Sequence, residues 1–227
     1  MCTSASCHIF PSLLPTCLII SPHTLQLFVA VSELTLSFNS SVFAQDELDV
    51  EWLSSLLRIS RKYQFDDLFE KALDRIKQEV PRALNDWDDL YEDFGVKDQT
   101  IDLLNLLLEI ANRTLLPTAY YLCVKYLELE EIFNGQVRAD GTRAYLSHES
   151  IKKIVVGRER ISNAMWIEEY DGLTTRGGTA FAPPQDGDVV PFFEKRCREC
   201  SPSNVRVYDE GRRRMWENLA SYFDLPR

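Results

Sequence analysis

The stretch VEWLSSLLRISRKYQFDDLFEKALDRIKQEVP, from Val50 to Pro81, constrains the fold of this chain more than any other. Trp52, Leu56, Ile59 and Tyr63 recur at intervals of four, three and four, and Leu53 widens the same stripe, while Arg58, Arg61 and Lys62 fall on the opposite side. That is the spacing of an amphipathic helix, which must bury one face. Asp66 stands where a helix N-cap is wanted, and Leu68, Phe69, Ala72, Leu73, Ile76 and Val80 form the stripe of a second helix that Pro81 helps to end. Only a few residues join the two, so they are expected to pack against each other as a hairpin. Leu56 and Leu73 are the expected buried contacts between them.

Helical signals continue downstream. NDWDDLYEDFG reads as a short acidic helix or turn stopped by Gly95. DQTIDLLNLLLEIANRT is apolar on most sides, as a central buried helix would be. LPTAYYLCVKYLELEEIFNG gives one or two helices closing at Asn134-Gly135. Asp140-Gly141 predicts a small hairpin or a tight loop. Ser147 then opens a helix carrying Ile151, Ile154, Val155, Ile161 and Met165 on one face. Gly and Pro cluster in residues 171–194, which are expected to be a loop. In the last helix, around DEGRRRMWENLASYF, the side chains of Met215, Trp216, Leu219, Tyr222 and Phe223 are expected to pack back on the same domain.

With 227 residues, 45% of them hydrophobic and 26% charged, the chain has the composition of a globular protein with room for one ordinary core. Its net charge of −10 argues against attraction to nucleic-acid phosphates, which requires a surplus of Lys and Arg on one face. The segment KRCRECSPSNVRVYDEGRRR is locally basic and reads as a solvated helix face.

Residues 1–47 differ from the rest. They contain no Lys or Arg, three of the six Cys and two of the three His. A secretory signal would need a basic start and an unbroken apolar run. Pro15, Pro22, His23 and Glu33 interrupt any stretch long enough to cross a membrane. An irregular segment, or a short strand at VAVSELTLSF, is expected there. The six Cys are too scattered for a disulfide framework, so the expected setting is intracellular, cytoplasmic or nuclear.

Motifs for bond chemistry are missing from the sequence: it holds no GxSxG, HExxH, P-loop or GxGxxG. No catalytic residue and no cofactor is therefore expected. Cys197 and Cys200 have the CxxC spacing that lets two thiolates share a metal ion, which is half of a zinc site. Completing it would take Cys123, His148 or the amino-terminal Cys2, Cys7 and Cys17, none of which repeats a short ligand spacing. His148, between Ser147 and Glu149, reads as part of a helix start. Asp86, Asp88, Asp89, Glu92 and Asp93 lack the glycine and terminal glutamate of an EF-hand loop and read as a solvated acidic face.

The hairpin resembles the last helices of the BTB (POZ) domain as found in proteins of mushroom-forming fungi. Leu56, Leu57, Arg58, Ser60, Lys62, Tyr63, Leu68, Ala72, Leu73 and Pro81 stand at matching places, and Trp87 matches a tryptophan usual shortly after that proline. LEEIFNGQVRADGTRAYLSHESIKKIVVGRERI is similar to a downstream segment of the same proteins, with Gly135, Asp140, Gly141, Leu146, Gly157, Arg158 and Glu159 in register. CRECSPSNVRVYDEGRRRMWENL is similar to their tail, which favours a family feature over a dedicated zinc site at Cys197 and Cys200. The sheet and helical hairpin that begin a BTB domain have no counterpart in residues 1–47, so the resemblance implies a BTB protein without its front half.

The expected fold is mainly α: the C-terminal helices of a BTB fold at 48–80, a helical region at 81–170, the loop at 171–194, and a tail with a helix at 195–227, after an irregular N-terminal segment. The function implied by the resemblance is that of a non-catalytic protein-interaction module. Its implied partners are proteins, through self-association or a cullin-type ligase, with no nucleic acid and no membrane. The alternative is a zinc-stabilised binding module using Cys197 and Cys200.

Overall fold

The computed structural model describes residues 49–90, 95–165, 181 and 201–226, with the side chains of 201–207 excepted. The expectations for residues 1–47, for Cys197 and Cys200, for Glu92 and Asp93, and for the loop apart from Phe181 lie outside them.

The described region is mainly α. Helices α1 (Val50–Tyr63) and α2 (Asp66–Glu79) form the expected hairpin, followed by α3 (Leu84–Leu90) and a single 3-10 turn at Lys97–Gln99. Then come α4 (Thr100–Glu109), α5 (Leu116–Tyr126) and α6 (Leu129–Asn134). A two-stranded ribbon, β1 (Gln136–Val137) and β2 (Arg143–Ala144), leads to α7 (His148–Ala164), and the chain returns through α8 (Ser201–Glu217) and α9 (Leu219–Tyr222). Helix α4 is the centre, packing on both α1 and α5, and α5 in turn packs on α7 and α9. Ile101, Leu103, Leu104, Leu106 and Leu107 are all buried, which is why α4 is apolar nearly all round.

Local signals account for the helix boundaries. The Asp49 carboxylate accepts from Trp52 N at 3.0 Å to start α1, and Gln64, at φ 57°, ends it with its N–H on Ser60 O. Asp66 is the first residue of α2 instead of its N-cap; Phe65 holds the cap position without a side-chain bond, and the two acidic residues favour the helix through its dipole. Ser147 Oγ accepts from Ser150 N at 3.1 Å, as its place before α7 suggests.

The buried face of α1 is rotated from the one its spacing suggests. Val50, Leu53, Leu57 and Ser60 are buried, Trp52 and Leu56 are half-buried, and Ile59 and Tyr63 are 42% and 38% exposed. The helix carries more apolar residues than one face can hold, and the side chosen is the one that meets both α2 and α4. On α2 the expected stripe is buried at Leu68, Ala72, Leu73 and Ile76, with Phe69 half-buried. Leu57, fully buried, thus takes the buried place expected of Leu56, while Leu73 is buried as expected. Leu57→Ala is expected to cost about 2 to 5 kcal/mol. Leu56→Ala should cost clearly less, and equal losses in chemical denaturation would count against this packing.

Helix α8 starts well before Asp209, and its end packs back on the body as expected: Met215, Leu219 and Phe223 are buried. Gly157 on α7 makes room for this return, since a Cβ there would overlap the Phe223 ring. The basic segment is not wholly a solvated face. Arg212 is 1% exposed and pairs with Asp88, with Asp209 at 3.3 Å, so Asp88 also leaves the expected solvated acidic group.

Candidate protein-interaction surface

Between α5 and α7 the chain builds a small frame from backbone-directed contacts. Glu128 and Glu131 form a reciprocal capping box that starts α6, with Glu128 N donating to Glu131 Oε2 at 2.9 Å. Gly135 closes α6 at φ 83°, where an added Cβ would stand 2.5 Å from Ala144 O and 2.9 Å from the Tyr145 ring. Only glycine fits both the angle and the approach. The ribbon pairs Gln136 with Ala144 and Val137 with Arg143, and turns through Asp140-Gly141, with Gly141 at φ 82° and Thr142 N donating to Asp140 Oδ1 at 2.9 Å.

Two arginines fasten this frame. Arg138 donates twice to Asp102 of α4, at 2.8 and 2.7 Å, in the fork geometry that suits a guanidinium and a carboxylate. Arg158 of α7 donates to Val124 O and Leu127 O, both at 3.1 Å, at the C-terminal end of α5 where a cation is favoured. Gly135, Asp140, Gly141, Gly157 and Arg158, all singled out in the sequence motif, thus have work within the fold.

What the frame presents is apolar. Leu129, Phe133, Val137 and Tyr145 are 53%, 57%, 52% and 60% exposed, the four highest values among the large hydrophobic side chains described. Leu129 and Phe133 are four residues apart and share a face of α6. Alternation along the ribbon puts Val137 and Tyr145 on its outer side with Arg143, while Gln136 and Ala144 face in. Beside this face lies a cleft of about 460 Å³ lined by Asp98, Glu128, Glu130, Glu131, Val137 and Arg143 among others.

The sequence-level candidates for chemistry stand apart from this surface. Cys123 is fully buried in α5, its thiol bonded to Thr100 O at 3.6 Å, and burial pushes its pKa up to about 12. A thiol in that state is a poor metal ligand and a poor nucleophile. His148 is exposed in the first turn of α7. Among the described residues no group of three or more His, Cys, Asp or Glu is placed to hold a metal ion, and no helix is long and apolar enough to cross a membrane.

Sequence reasoning missed a second cluster, built around Tyr121 and Lys125 of α5. Trp87, Tyr121, Phe181 and Trp216 pack with ring centroids 5.0 to 5.5 Å apart. Lys125 Nζ lies 4.7 Å from the Trp87 ring centre. Burial, helped by repulsion from Lys97, lowers the Lys125 pKa to about 8, although the ring faces favour the charged form. Between pH 8 and the ordinary 10.5 the folded amine has released a proton that the unfolded chain still holds. Lys125 should therefore contribute stability that rises with pH through that window as the cost of burying the ammonium is relieved, while the buried Cys123 thiol opposes it above the ordinary thiol value of 9.0. Lys125→Met should remove this rise, and parallel curves for variant and wild type would contradict it.

Comparison with known proteins returned no matching family model, no matching curated protein and no matching solved structure.

Proposed function

We propose that this chain is a non-catalytic protein-interaction module of the BTB/POZ type, an adaptor that works by holding other proteins. The exposed side chains of Leu129 and Phe133 on α6, and of Val137 and Tyr145 on the ribbon that follows it, carry the reading. Large apolar side chains held together in water lower the free energy of a complex that covers them. These four sit on elements tied to the core by Arg138 and Arg158, so a partner would meet a surface with little ordering left to lose. The BTB type rests on the residue match in α1 and α2, and a cullin-type ligase is the partner class that the match implies.

The test compares the wild-type chain with a Phe133→Ser/Tyr145→Ser variant in proximity labelling. A set of proteins labelled by the wild type and lost with the folded variant supports the reading, whereas identical sets from both overturn it.

Self-association through α1 is a second reading, favoured by the outward stripe of Ile59 and Tyr63 beside the half-buried Trp52 and Leu56. Light scattering across a concentration series decides it. A mass that grows with concentration and returns to one chain in Ile59→Lys supports it, and a constant single-chain mass rules it out.

A further inference from the structure

The chemistry of the cleft beside α6 says more about what would cover this surface. Four carboxylates, from Asp98, Glu128, Glu130 and Glu131, line it against the single guanidinium of Arg143. Asp98 and Glu130 make no ion pair among the described residues, while Glu128 and Glu131 are partly engaged in their capping box.

The second observation is Gln136. It lines the same cleft, is 7% exposed, and its Oε1 has no hydrogen-bond partner. Its Nε2 points to Lys97 O at 3.4 Å, and a carbonyl can only accept, so the amide is fixed with Oε1 as the unpaired acceptor, itself buried in the cleft wall. A buried acceptor without a donor is costly, and a ligand that brings N–H groups removes that cost. The carboxylates call for a cation, and Arg or Lys also brings the N–H that the amide oxygen lacks. Val137 belongs to the cleft and to the apolar face alike, so one ligand can use both.

We infer that the surface formed by α6 and the ribbon binds a basic, amphipathic segment of a partner protein. Its Arg or Lys enters the cleft among the carboxylates, where a small rotation of the Gln136 side chain would bring Oε1 to one of its N–H groups, and its apolar residues lie on Leu129, Phe133 and Tyr145. The inference rests on the interaction reading above and adds the chemical class of the partner. Charge complementarity of this kind sets partner choice and association rate more than total affinity.

A displayed library of random peptides, selected on the full chain and counter-selected on Phe133→Ser/Tyr145→Ser, tests it. The expected winners combine Arg or Lys with apolar residues. By fluorescence anisotropy they should bind Asp98→Asn/Glu130→Gln roughly threefold to tenfold more weakly than wild type, and weaken further with salt. Neither Asp98 nor Glu130 belongs to the capping box, so the variant should fold. Acidic or neutral winners, or basic winners indifferent to Asp98 and Glu130, overturn the basic partner while leaving the interaction surface standing. A surface covered by a second copy, seen as wild-type dimers that Phe133→Ser/Tyr145→Ser dissociates, likewise overturns the basic partner alone. A selection with no winner that depends on Phe133 and Tyr145 overturns the interaction reading itself.

Discussion

Trp87→Ala is expected to remove about 3 to 5 kcal/mol of folding stability, enough to leave a domain of ordinary stability close to unfolding. The indole is fully buried, and it touches the rings of Tyr121 and Trp216, both of which also meet the ring of Phe181. Its Nε1 also donates to Phe181 O at 3.0 Å, so truncation leaves a cavity and takes a donor from a buried carbonyl. Trp87→Phe should retain part of the packing but lose the hydrogen bond, and so fall between the two. Chemical denaturation monitored by far-UV circular dichroism reads both, and a loss under about 1 kcal/mol for the alanine variant would mean that the cluster is not a core.

Asp88→Ala should cost about 3 kcal/mol, because it leaves the buried guanidinium of Arg212 with Asp209, the Phe181 carbonyl and the distant face of Tyr208. Arg212→Met should cost less, despite deleting more polar contacts. Taking the cation out of the interior removes its desolvation penalty, and Arg212 Nε has no partner even in the intact network. Asp88 is about one-third exposed, at 31%, so the carboxylate left behind in Arg212→Met can still reach water. If Arg212→Met proves the more damaging of the two, the pair is a net source of stability and this ordering is wrong.

The local features were the legible ones. The α1–α2 hairpin, the central α4, the Gly135 stop, the Asp140-Gly141 turn and the Ser147 cap each follow from a few neighbouring residues, and each is present in the fold. The choice of face on α1 was not legible, because Ile59 and Leu57 are equally apolar and only the position of α4 decides between them. Asp66 illustrates a smaller limit: an acidic residue is favoured both at the cap and in the first turn, and sequence does not separate the two. Arg212 looked like one more solvated charge in a basic run, and its burial depends on a carboxylate 124 positions away. The surface was half legible. Glu128, Glu130 and Glu131 are plain in the sequence, but Leu129 and Phe133 look there like core residues, and nothing local marks Gln136 as the buried acceptor beside them.

The pairing of Trp87 with Trp216 and of Asp88 with Arg212 has a consequence for how the chain is made. A nascent chain emerges N-terminus first, and the α1–α2 hairpin can assemble early from neighbouring contacts. The interior around α3 cannot close at that stage, because its Arg212 wall lies 124 positions further along the chain than Asp88. Until then Trp87 and Tyr121 remain open to solvent, and to any chaperone that recognises aromatic surface. A premature stop between Tyr121 and Arg212 would keep this chain permanently in that unfinished state, with Trp87 and Tyr121 uncovered and a ready substrate for quality control.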